Sequence, residues 1–491
     1  MRRTIAAALV VMVSAVTAVS PARAATDFTL IGHGYGHGIG MSQWGAYGYA
    51  SHGWQYGPIL GHYFTDTSLG TIPTSTMVRV LMDEGHGSYH IASAAAIHVK
   101  DETAGTSHTL AAGTYTVVPG PAAGHLMVET PSGQIVLSGI QSPMLIIPTT
   151  QPLKLNDTSM AGYTGGHWNG SFRVIRTGTS TLDLVNWVNI ERYVAGIVPN
   201  EMSTGWPTQA LKVQAVCARS YAYATLNSSP TSEFDAYDGV RSQQYGPIER
   251  QHTDTTAAQT STAGQVVMYQ GSVATTFFSA SSGGMTSSES ASWGAPNQPY
   301  LVPVVDRYDG AGGLNPNHTW APKLYSGATL AKALGVASSA GPVVAVDQTW
   351  DPASLRELTL TLHGSKASVT RSGQTVASTL ALRSSWFRVL QVSLNAPSSV
   401  VRGKPLVVSG RLWPKPAATT ATIQVRSAGS TTWATLADHP KLAANGSFRL
   451  TRFPSGSVSY RVIRPGAFSP VISVTVTGGH SAGGILAPAV L

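Results

Sequence analysis

YVAGIVPNEMSTGWPTQALKVQAVCARSYAY, Tyr193 to Tyr223 of a 491-residue chain, is the stretch whose reading decides the fold. It reads as a loop followed by a helix. Pro207 suits a first helical position, where its missing N–H is not needed. From Ala210 to Ala224 there is no Gly or Pro, and small and apolar residues fall on nearly every face, so the helix is a buried one. Cys217 sits in its middle as packing. Lys212 and Arg219 are seven residues apart and share one side. Long charged side chains are rarely buried without partners. Either both snorkel to solvent from an exposed edge, or both face a polar cleft that the helix lines. Glu201 lies just upstream, in a loop rich in Gly, Pro, Ser and Asn. Held between a Val-Pro turn and a Trp-Pro helix start, it is a fixed carboxylate rather than a mobile one.

A second stretch, GHGYGHGIGMSQWGAYGYASHG, runs from Gly32 to Gly53. Glycines alternate with His33, Tyr35, His37 and Ile39, which suits neither an ordinary strand nor a helix. Such a backbone passes close to a ligand or to another chain segment. Ser42 caps a short helix running to Ala50, and Tyr56 to Phe64 reads as another. His33 and His37 are four apart, but the glycines argue against a helix that would align them, and no Cys or carboxylate joins them at zinc-like spacing. No metal and no cofactor is expected.

These two stretches, YVAGIVPNEM followed by WPTQALKVQAVCARSYAYA, and GHGYGHGIGMSQWGAYGYASHG, resemble the paired signatures of the stage II sporulation protein D (SpoIID/LytB) family. The likeness covers roughly 28–389. It implies an α+β, β-rich catalytic domain around a central buried helix. It also implies either a lytic transglycosylase that cleaves peptidoglycan glycan strands, or a non-catalytic, glycan-binding enhancer of a cell-wall amidase. The resemblance maps Glu201 onto the catalytic glutamate, and Lys212, Gln214 and Arg219 onto residues around the glycan. Gln214 leaves the helix on another side from Lys212, so a structural role stays open for it. Some relatives hold zinc with cysteines; this chain has one cysteine. In the sporulation proteins the GHG–GMSQ motif follows the Glu motif, whereas here it precedes it, as in a circular permutation. On that reading a strand ending at Trp386–Val389 would run on into the one at Phe28–Ile31. The two should lie beside or end-to-end with each other, with His37, Ser42 and Gln43 on the wall of the Glu201 cleft.

The remaining chain frames these motifs. Met1 to Ala24 has a basic start, an apolar run and Ala22-Arg23-Ala24, the pattern of a secretory signal, and no other run approaches a membrane span. The mature chain is therefore expected outside the cell or at its wall. Its net charge of +8 suits an anionic wall polymer, and no basic stripe interleaved with aromatics points to nucleic acid. Short alternating runs from Thr71 to Leu155, then SFRVIR and TLDLVNWV, are β-strands. Phe234 to Pro247 is polar and turn-rich, with Asp235, Asp238 and Tyr245 as cleft candidates. His252 to Ala263 and Ala328 to Leu334 are helices, Val266 to Ser279 is a hairpin, and Leu358 to Val369 and Thr379 to Val389 are strands. Evenly spaced strands from Val392 to Thr477 suggest a small β-sandwich of immunoglobulin type. The expected units are 1–24 signal, 25–390 catalytic, 391–478 sandwich and 479–491 tail.

One carboxyl group suffices for a lytic transglycosylase. The Glu protonates the leaving oxygen and then takes a proton from the 6-hydroxyl of the muramyl sugar, which closes a 1,6-anhydro ring. A hydrolase would need a second carboxylate, for which Asp238 and Asp306 are the candidates.

Overall fold

The structure, a computed structural model, describes residues 26–226, 233–465 and 467–478. The expected signal at 1–24 and tail at 479–491 lie outside the described residues. The chain is mixed α+β and rich in strand. Among the described residues no helix is long and apolar enough to cross a membrane.

Two antiparallel sheets and a group of helices enclose the largest core. One sheet orders Ala236–Tyr237, Met77–His86, Leu182–Asn189, Ser171–Arg176, Met144–Pro148, Ile97–Asp101 and Ser107–Leu110. Only the short Ala236–Tyr237 strand runs parallel to its neighbour. The other orders Ile135–Gln141, His125–Glu129, Gly113–Pro119, Tyr89–Ser93, Leu153–Leu155 and His167–Trp168. The helices are α1 (Gln43–Ser51), α2 (Tyr56–Tyr63), α3 (Ile190–Glu201), α4 (Thr208–Ala224) and α5 (Thr253–Thr260). α4 is the hub, with the other four packed around it. Its residues Ala210, Leu211, Val213, Ala215, Val216, Cys217 and Ala218 are fully buried, as an all-round apolar helix requires.

Tyr193 to Glu201 is not a loop. It belongs to α3, which Asn189 caps by accepting the Glu191 N–H at 2.9 Å. Gly196 and Pro199 disguise it in the sequence. Gly196 is there because a Cβ would meet the Tyr245 ring at 2.6 Å. Pro199 has no N–H to give the Ala195 carbonyl, and the neighbouring Gly196 carbonyl accepts from the Asn200 side chain at 2.7 Å and from the Gly246 N–H at 3.0 Å.

A second core joins Phe28 and Leu30 to Leu330, Leu360, Leu362, Val376, Phe387 and Val389. The strand Thr26–Gly32 lies directly beside Phe387–Asn395, with Leu30 opposite Val389 and Thr26 opposite Ser393. The pairing is antiparallel, so a hairpin, not a run-on strand, would join their near ends. The expected strand Leu358–Val369 is a hairpin of Glu357–Gly364 with Ser368–Ser372. Thr379 to Trp386 ends a helix and turns before the strand begins at Phe387.

The third core gathers Leu390, Val392, Leu406, Val408, Ile423, Phe448, Tyr460, Val462 and Val474 from two sheets. The boundary expected at residue 390 falls inside the strand Phe387–Asn395. Its first residues pack in the second core and its later ones in the third, so the two units share one strand with no linker.

Candidate active site

Glu201 is the last residue of α3 and is half-buried. One carboxylate oxygen accepts the Gln244 N–H at 2.8 Å, and the other accepts the Gln43 side-chain amide at 3.2 Å. Burial raises its pKa above the ordinary glutamate value, against the opposing pull of those two donors. Its place at the carbonyl end of a helix acts in the same direction as burial. Glu201 lines a cleft of about 500 Å³ together with Asn200, Ser203, Thr204, Glu249, Arg250 and His252. A proton donor with a raised pKa at a polar cleft is what general-acid chemistry needs.

Gln43 reaches Glu201 because Ser42 caps α1. The Ser42 hydroxyl accepts the Gly45 N–H at 3.0 Å and donates to Asp309 at 2.7 Å. Asp309 is fully buried and also accepts from Ser281, the Ser282 and Gly283 N–H groups, Asn315 and His318. Burial would raise its pKa, but these donors hold the carboxyl below the usual range. The start of α1 is therefore pinned. The second proton of the Gln43 amide goes to Gln214 Oε1 at 3.3 Å, and Gln214 is itself wholly buried in α4. Gln214 touches Glu201 only through Gln43, which makes it an orienting residue rather than a glycan contact.

Four other expectations are redirected. Arg219 has no exposed surface and forks onto Glu191 of α3 at 2.9 and 2.7 Å. It also donates to the carbonyls of Ala215 and Gln265. It ties α4 to α3 and to the Gln259–Gln265 turn, because a cation with no exposed surface is stable only in a paired site. Tyr245 is buried against Trp168 and Tyr193, and its hydroxyl donates to Asn186 at 2.9 Å. His37 accepts the Ile39 N–H on Nδ1 and donates from Nε2 to the Phe278 carbonyl; burial drives its pKa to about 4, so it is neutral. Ser42 is consumed as a cap. Lys212 stays half-buried with its ammonium 5.6 Å from the centre of the Tyr56 ring.

The glycine alternation serves a chain segment, not a ligand. A Cβ on Gly40 would stand 2.3 Å from the Phe277 carbonyl, and one on Gly38 would stand 2.0 Å from Arg356 Nη2. Asp235 pairs with Arg79 at 2.7 Å. Asp238 is 1% exposed, with its pKa pushed up to about 8 by burial. Asp306 is 1% exposed and pushed up to about 7 by burial and by the charge of Asp309. Enclosed in this way, neither presents a second carboxylate to the cleft.

The sequence reading passed over two features. Trp44, Tyr47 and Trp206 form a half-buried aromatic group, with ring centres 4.8 to 5.5 Å apart, beside the residues that carry Gln43 and Glu201. Both tryptophans stand inside the quoted motifs, which was the available signal. Glu249 lines the cleft as well; burial pulls its pKa up, but hydrogen bonds from His167 bring it below the ordinary value.

Residues 178–269 match the SpoIID family, described as stage II sporulation protein. The match contains α3, α4, α5 and Glu201; Gln43 and α1 lie outside it. An uncharacterized protein of Brachyspira hyodysenteriae (strain ATCC 49526 / WA1) is 40% identical over 122 residues, which is 25% of this chain and 33% of that protein. An amidase enhancer of Bacillus subtilis (strain 168) is 33% identical over 116 residues, 23% of this chain and 15% of that protein. The chain thus spans a third or less of the length of these relatives.

Proposed function

We propose that this protein is an exported cell-wall enzyme, a peptidoglycan lytic transglycosylase with Glu201 as its single acid and base. The observation that carries this reading is the setting of Glu201. It is the one cleft carboxylate with a raised pKa, held by two donors, in the segment that matches the SpoIID family. Protonated, Glu201 gives its proton to the glycosidic oxygen of the leaving sugar. As a carboxylate, stabilised by the Gln244 N–H and the Gln43 amide, it then takes the proton of the muramyl 6-hydroxyl as that oxygen closes on C1. No water is activated, so no second carboxylate is required, in agreement with the enclosure of Asp238 and Asp306. Trp44, Tyr47 and Trp206 supply flat apolar faces on which sugar rings can lie. The order of the two motifs is read as a permutation, supported by the side-by-side strands Thr26–Gly32 and Phe387–Asn395.

A second reading is favoured by the Bacillus subtilis relative named as an amidase enhancer. On that reading the cleft binds glycan without cutting it and presents it to a cell-wall amidase. Mass analysis of peptidoglycan treated with the protein separates the cases. Anhydro ends support the transglycosylase, reducing ends mean a hydrolase, and uncut glycan that nevertheless binds supports the enhancer.

A further inference from the structure

The positive charge of the chain is unevenly placed. Residues 391–478, the unit built on the third core, hold ten of the 31 lysines and arginines but only one, Asp438, of the 23 acidic residues. That excess is larger than the net charge of +8 for the whole chain, so everything before residue 391 is close to neutral. Charge of one sign gathered in one unit bears on partners rather than on the fold. Asp438 is itself taken by Arg452, and among the described residues no other cation of the unit has a carboxylate partner.

Register brings part of this charge to one sheet face. The strand Thr422–Ser427 pairs with Val458–Arg464, placing Ile423 opposite Val462, Gln424 opposite Arg461 and Val425 opposite Tyr460. Ile423, Tyr460 and Val462 are buried in the core, so the alternate residues Gln424, Arg426 and Arg461 point outward. Both guanidiniums stand over the half-buried Trp433, Arg426 at 4.7 Å and Arg461 at 4.4 Å from the ring centre. Arg461 also lies 5.1 Å from the centre of the Phe468 ring, which is 55% exposed. Gln424 accepts the Arg461 Nε–H at 2.7 Å and so fixes the direction of its fork. Two cations on neighbouring strands repel each other, and no carboxylate stands across the strands to balance them. An anion between them removes that cost, and planar forks match phosphate and carboxylate oxygens. The aromatic rings beside them add flat apolar surface suited to a sugar ring.

We propose that this face binds an anionic wall polymer, a sugar or polyol chain that carries phosphate or carboxylate groups along its length, and that the C-terminal unit thereby holds the protein at the wall. The inference rests on the exported cell-wall reading and is independent of whether Glu201 cuts glycan. A neutral glycan would leave the two guanidiniums unbalanced. A single small anion would use two of the ten cations, whereas a polymer continues past them to the exposed Arg402, Lys404, Lys415, Lys441 and Arg449.

The test uses the chain from residue 25 and four labelled probes: polyglycerol phosphate, polygalacturonate, neutral dextran and duplex DNA. Binding is read by fluorescence anisotropy over a range of salt. At least one of the first two should bind about tenfold or more tighter than dextran and weaken as salt rises; the tighter of the two identifies the anion. Arg426→Gln with Arg461→Gln should weaken that binding about tenfold. Lys332→Gln with Lys366→Gln removes the same charge from exposed positions outside the unit and should leave binding unchanged. Thermal melting is checked for both double variants. Binding no tighter than to dextran, equal losses in the two double variants, or tighter binding of DNA than of either charged polymer overturns the proposal. A chain that binds the polymer but leaves peptidoglycan uncut keeps this surface and loses the Glu201 reading, and one that cuts but does not bind does the reverse.

Discussion

Replacing Arg219 with Met tests whether the cation of α4 is structural or faces the glycan. The Arg219 side chain is 0% exposed and that of its partner Glu191 is 14% exposed. The substitution removes a forked pair of bonds at 2.9 and 2.7 Å and leaves the Gln265 carbonyl, 3.1 Å from the guanidinium, without that donor. Glu191 would keep the Gln259 side chain and the Gly264 N–H at 2.8 Å. Breaking a buried pair from one side costs about 3–5 kcal/mol, and the donors Glu191 retains place this case near about 3 kcal/mol. For a unit of this size each kcal/mol moves the melting temperature by about 2–4 °C, so the expected fall is about 6–12 °C. Differential scanning calorimetry, or tryptophan fluorescence during a thermal ramp, reads it. Salt should change the difference little, because a buried pair is poorly screened. Lys212→Met is the contrast, with an expected change within about 0.5 kcal/mol. An Arg219→Met protein that melts like the wild type yet loses glycan binding would refute the reasoning, because the guanidinium would then have to face the cleft.

Other expectations follow from the same geometry. Glu201→Gln should melt normally and lose at least about a hundredfold in release of soluble glycan fragments, within the ~10²–10⁴ range for a general acid; near-normal release would move the acid elsewhere. Gln43→Leu removes a donor to the Glu201 carboxylate, which disfavours its charged form and raises its pKa further. The acid form then persists to higher pH, so the alkaline limb of the rate profile should move upward even as the rate falls, and an unmoved limb would separate Gln43 from the acid. Gly38→Ala sets a Cβ against the buried Arg356 at a residue with φ of +73°. It should lower stability by about 1–2 kcal/mol or more, read as a drop in melting temperature, and an unchanged melt would mean that the turn can shift.

How far the sequence could be read varied with the kind of residue. α4 was legible because an unbroken run without Gly or Pro, apolar on every face, has only a buried helix as its solution. Ser42 was legible as a cap because its role is local, satisfied within three residues. α3 was not, because Gly196 and Pro199 are breakers by their own chemistry, and the Tyr245 ring that requires the glycine and the Gly246 N–H that meets its carbonyl come from a distant part of the chain. Tyr245 itself lies in a polar, turn-rich stretch that looks solvated until Trp168 and Tyr193 are seen to close over it.

By itself the sequence determined the elements with local causes: the central helix, the cap of α1, the alternating strands, and a tightly placed glycine run that demands close approach. It also singled out Glu201 through its motif. Only the tertiary structure decided what each long or polar side chain meets. Arg219 and Lys212 share one side of one helix, yet one is sealed against Glu191 and the other rests on Tyr56. Gln43 and Glu201, far apart in the chain, are brought to 3.2 Å. Periodicity reports which face a residue occupies, but a hydrogen bond depends on the partner that packing brings to that face, and that partner can come from anywhere in the chain.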